Sequence, residues 1–140
     1  MRLLFLGVLA SALLASGCDS DNSPTPPTKT PAAPSVSETF EGTVRVGSYA
    51  FYSFQVSQYG TINLTLNTLR VGGELSDAAM TLTIGQPSAQ DCFSAVTQTA
   101  GAGVTPQVTG TFEAGVYCVK SADPVPLTSP GLFNITIAHP

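Results

Sequence analysis

Apolar and polar residues alternate every second position along most of this chain, and glycine and proline break the alternation again and again. Nothing else in the sequence restricts the fold as strongly. Tyr52/Phe54/Val56, Ile62/Leu64/Leu66, Met80/Leu82/Ile84 and Phe133/Ile135/Ile137 are each interleaved mainly with small or polar residues. A period of two sends successive side chains to opposite faces of a sheet, so each run predicts a half-buried strand. The cleanest is the second, where Thr61, Asn63, Thr65 and Asn67 occupy the polar face. Shorter strands are expected over Phe40–Val46, Cys92–Thr97, Gln107–Phe112 and Val116–Ser121. Turn residues fall between them: Gly47, Gly60, Gly72-Gly73, Gly85 to Pro87, Gly101 to Gly103, Gly115, and the proline-bearing stretch from Asp123 to Gly131. No window shows the period of a long amphipathic helix, and Leu75 to Met80 has room for one turn at most. About eight short strands separated by such turns predict an all-β antiparallel sandwich over residues 39–140.

The first 38 residues have a different character. Met1-Arg2 is followed by the uncharged apolar run Leu3 to Leu14 and the small residues Ala15-Ser16-Gly17. This is the layout of a signal peptide over residues 1–17, with an apolar core too short for a finished membrane-spanning helix. From Asp19 to Glu38 five prolines (Pro24, Pro26, Pro27, Pro31, Pro34) sit among Ser, Thr, Asp and Asn, with Val36 the one large aliphatic. Such a segment buries too little apolar surface to offset the entropy of ordering it, so residues 18–38 read as a disordered tether. Its reach is roughly 25 Å as a flexible coil and about 60 Å as polyproline.

Leu14-Ala15-Ser16-Gly17-Cys18 resembles the lipobox of bacterial lipoproteins, although Ala15 stands where that family prefers leucine. The resemblance implies cleavage before Cys18 and lipidation of that cysteine. Ordinary signal cleavage is the alternative, since Ala15 and Gly17 also suit a small-x-small site. Several acyl chains on one residue hold firmly where a single chain does not. Asp19 acts as an inner-membrane retention signal in enteric bacteria, but that rule does not transfer safely, and an outer-membrane location at the cell envelope is the expectation.

The folded part resembles the bacterial pre-peptidase C-terminal (PPC) domain. The likeness rests on Thr39-Phe40-Glu41-Gly42-Thr43-Val44, Ala50 to Val56, Gly60 to Leu66, Phe112 to Val119, and the closing Phe133-Asn134-Ile135-Thr136-Ile137. It implies a jelly-roll-like sandwich serving as a non-catalytic module, here without the hydrolase that usually accompanies it. In the Gly115-Val116-Tyr117 step, the glycine permits a tight turn and the tyrosine packs inward while its hydroxyl caps a loop.

The remaining chemistry is sparse. Besides Cys18 the chain has Cys92 and Cys118, and in an oxidising compartment these are expected to form a disulfide that contributes ~3.5 kcal/mol. Two buried or metal-binding thiols are the alternative. Tyr117 and Val119 facing inward would send Cys118 and Lys120 outward, so the bridge should clip the outside of a strand to a neighbouring loop. The formal net charge is −4, from 5 basic and 9 acidic residues, with no basic cluster. Phosphate neutralisation, and hence nucleic-acid binding, is therefore not expected. His139 is the single histidine and lies beside the C-terminus, where a solvated tail is the default. Neither a Gly-x-Ser-x-Gly elbow nor a phosphate-binding loop is present. Glu74 and Asp77 are too few for calcium. The Asn-x-Thr triplets at Asn63 and Asn134 are explained by polar alternation. The chain therefore reads as a non-enzymatic protein without a cofactor. Its partner is expected to be an envelope protein, a peptide or a glycan, met through a candidate ligand surface at Tyr49, Phe51 and Tyr59. An assembly component of an envelope complex is the alternative.

Overall fold

The computed structural model describes residues 27–140, so the leader, Cys18 and the start of the tether lie outside the described residues. Nine strands follow in order: β1 (Val36–Val44), β2 (Tyr49–Val56), β3 (Gly60–Val71), β4 (Glu74–Leu75), β5 (Met80–Pro87), β6 (Cys92–Ala100), β7 (Val108–Phe112), β8 (Gly115–Ala122) and β9 (Gly131–His139). They form two antiparallel sheets. One runs β1-β9-β3-β4, with β7 also paired to β3, and the other runs β2-β8-β5-β6. With the two-residue β4 set aside, the chain passes between the sheets in the manner of a jelly-roll sandwich.

The inner faces carry the apolar members of the alternating runs. Phe54, Val56, Ile62, Leu64, Leu66, Met80, Leu82, Ile84, Val119, Ile135 and Ile137 are all buried and make one continuous core. A bulge at Asn67 then shifts the phase of β3. Leu66 faces Ile135 and Thr68 faces Asn134, so the next core residue is Leu69 rather than residue 68. The extra side chain is not idle: the Asn67 amide donates to Asn134 Oδ1 at 2.6 Å and to Thr136 Oγ1 at 2.8 Å.

One flank of the sandwich is closed by aromatics. The Phe40 and Tyr52 rings stack at 4.7 Å, and the Tyr52 hydroxyl donates to the Glu41 carbonyl at 2.9 Å. Burial raises the pKa of that phenol. Gly42 makes this closure fit, since a Cβ there would stand 2.2 Å from the Tyr52 oxygen. Tyr117 behaves as its sequence context suggests: the ring is buried and the hydroxyl donates to Glu113 O at 3.0 Å.

Several expectations need correction. β1 starts at Val36 rather than near Thr39, and the stretch before it lies against the fold. Ala32 N donates to Tyr59 O at 3.0 Å, Thr61 N to Ala32 O at 2.9 Å, and Ser35 N to His139 O at 3.0 Å. Pro31 and Pro34 each precede a residue that keeps its amide, Ala32 and Ser35, and it is these amides that pair. Leu75 ends β4 and Met80 begins β5, with no helical turn between them, which is within the expectation of one turn at most. His139 is not a solvated tail. It ends β9, which lies between β1 and β3, and is only 3 % exposed.

Candidate functional site

The strand registers fix what the outer face of the four-stranded sheet presents. Tyr49, Ala122, Thr81 and Thr99 form one cross-strand row, and Phe51, Lys120, Thr83 and Thr97 form the next. Threonine pairs bond across β5 and β6, with Thr83 and Thr97 hydroxyls 3.0 Å apart.

The β5–β6 hairpin tip folds back over this face. Cys92 and Cys118 are disulfide-bonded with Cα atoms 5.8 Å apart. Asp91 accepts from Lys120 at 3.0 Å, and the Tyr49 hydroxyl donates to Gln90 O at 3.1 Å. Cys118 does point out of the sandwich, but the tip covers it, so both cysteines are buried; Cys92 is the first residue of β6 rather than part of a loop. The Asp91 carboxyl is held below its usual range, first by the Cys92 amide and then by the Lys120 ammonium.

The candidate aromatic surface is thereby divided. Tyr49 and Phe51 lie together, with ring centroids 6.5 Å apart, but the Lys120 ammonium stands 5.2 Å from the Tyr49 ring and the phenol is already bonded. Tyr59 lies beyond the far end of β2, where the Lys29 ammonium sits 4.4 Å from its ring centroid. These three residues do not make one strip, because an intervening strand of about 3.3 Å per residue separates its two ends.

A different aromatic site lies on the flank opposite the Phe40–Tyr52 closure. There the edge strand β6 stands beside β7, and a groove of about 500 Å³ opens between them. Phe93, Phe112 and Tyr117 provide its apolar surface, with Gln86, Thr111 and Glu113 as polar lining. Phe112 meets Tyr117 edge to face at 5.1 Å, whereas Phe93 is 66 % exposed. A bulge at Ala95 borders this opening: Ile84 faces Val96 and Gly85 faces Ser94, so one β6 residue is left over. Gly110 permits the Phe112 ring to lie across β7, since a Cβ there would meet that ring at 2.5 Å. Sequence reading missed this groove because β6 and β7, although consecutive in the chain, belong to different sheets, and only the packing of the two sheets sets their edges side by side. The available signal was Phe93, a lone large aromatic in an otherwise small and polar strand. A second cleft, of about 440 Å³, lies at Val71, Ala78 and the Pro124–Leu127 loop. Its lining is mainly apolar, with fewer convergent polar groups.

His139 Nε2 stands 2.9 Å from Glu38 Oε1, and Nδ1 3.1 Å from Pro140 O. Both ring nitrogens thus face acceptor oxygens, and neither is directed at a serine hydroxyl as a triad base would be. Among the described residues no group of three or more His, Cys, Asp or Glu is placed to hold a metal ion. The chain matches no family model, and a comparison with curated proteins likewise gives no match.

Proposed function

We propose that this protein is a bacterial lipoprotein anchored through Cys18, whose PPC-like sandwich acts as a non-catalytic binding module at the cell envelope. The groove beside Phe93 carries the binding part of this reading: it joins exposed aromatic surface to a few polar groups at the edge of a rigid sheet. The disulfide supports residence outside the reducing cytoplasm. The jelly-roll topology supports the PPC resemblance.

Intact-mass analysis of the detergent-extracted protein tests the anchoring. The expected species begins at Cys18, carries added acyl mass, and is lighter by two hydrogen atoms for the Cys92–Cys118 bridge. Recovery from the cytosol with residues 1–17 intact overturns the proposal.

A further inference from the structure

β6 is an edge strand with an unusual lack of protection. From Cys92 to Ala100 it carries no charged residue and no proline, and it pairs on one side with β5. Edge strands are ordinarily blunted by charge, proline or cover, because their unpaired amides and carbonyls are a template for another strand. The β1–β2 flank is closed by the Phe40–Tyr52 stack, and the β4 edge is only two residues long. At β6 the bulge at Ala95 interrupts the template, yet Val96–Ala100 remains in regular register with β5. The groove starts where that regular stretch ends.

We propose that this edge and groove together take an extended peptide of a partner protein. The peptide adds a strand beside Val96–Ala100, seats a large apolar side chain among Phe93, Phe112 and Tyr117, and places a Lys or Arg against Glu113. In this mode backbone bonds supply affinity and side-chain pockets supply choice. Charge complementarity argues for the basic residue. Glu113 is the charged residue of the groove, and Lys29 of this same chain is already ion-paired with it at the surface. A pair this exposed is worth little and is readily exchanged for an incoming cation. The bland alternative, a neutral glycan stacked on Phe93, would leave the β6 backbone unused. This inference rests on the binding-module reading.

The test is selection of a randomised twelve-residue peptide display library on the detergent-extracted full chain. The expected peptides share a large apolar residue within two positions of Lys or Arg, and slow amide exchange at Val96–Ala100. Phe93→Ala should lower their retention about tenfold, as for an exposed anchor residue, with the melting temperature unchanged. Glu113→Gln should relax the demand for a basic residue. N-methylation of the peptide backbone should abolish binding. Equal binding of the N-methylated peptide, protection of another surface, or no enrichment over the Phe93→Ala chain overturns the inference. Neutral hexasaccharides are run in parallel: if they bind where peptides fail, the binding module stands and its peptide ligand falls. If neither binds, both fall.

Discussion

Replacing Cys92 and Cys118 together by alanine removes the covalent tie that holds the β5–β6 hairpin tip onto β8. The bonded residues are 26 apart in sequence, and closing a loop of that length in the unfolded chain corresponds to about 3.5 kcal/mol at 25 °C. For a domain of this size each kcal/mol moves the midpoint by roughly 4 °C, so the melting temperature should fall by about 14 °C. The polar contacts of the tip, Asp91 to Lys120 and Tyr49 to Gln90, are accessible and cannot replace the bond. Thermal unfolding of oxidised protein, reduced protein and the double variant separates the causes. The oxidised–reduced difference reports loop closure. The reduced–alanine difference reports the packing of two buried sulfurs, which are 1 % and 0 % exposed. Oxidised and reduced protein melting within about 3 °C of each other would refute the argument.

Asp123 joins two loops: its Oδ2 accepts from Gly47 N and from Leu127 N, each at 2.8 Å. Asp123→Ala strands both amides and should cost about 2–4 kcal/mol in urea unfolding, with Asp123→Asn costing less; a loss below about 0.5 kcal/mol contradicts this role. Asp91 supplies an acid-dependent contribution. Its folded pKa is lowered by the Cys92 amide and Lys120, so the contribution is present above the ordinary value of 3.8 and disappears as pH falls through the lower folded value. Asp91→Asn should therefore flatten the acid limb of the melting curve, and superimposable limbs count against it.

Much of the architecture was legible because strand periodicity is local. Ile62/Leu64/Leu66 and Phe133/Ile135/Ile137 face the core as their alternation requires. The outward direction of Cys118 followed from the inward direction of Tyr117 and Val119. Bulges are harder to see, since a single extra residue such as Asn67 or Ala95 is defined by its partner strand rather than by its neighbours. The site was the least legible part. Tyr49, Phe51 and Tyr59 are close in sequence, but a strand runs between its ends and keeps the first two from the third.

By itself the amino-acid order determined the class of fold and the strand faces outside the bulges, and it left Cys92 and Cys118 as the expected internal pair; these depend on nearest neighbours or on counting. The tertiary structure alone decided the rest. His139 is sealed between strands because β9 runs through the middle of its sheet. The arm before Val36 is paired because Gly60 leaves its backbone approachable: a Cβ there would lie 2.5 Å from Ala32 O. Phe93 and Phe112, brought to one groove, belong to different sheets, and only the closure of one sheet over the other sets them side by side.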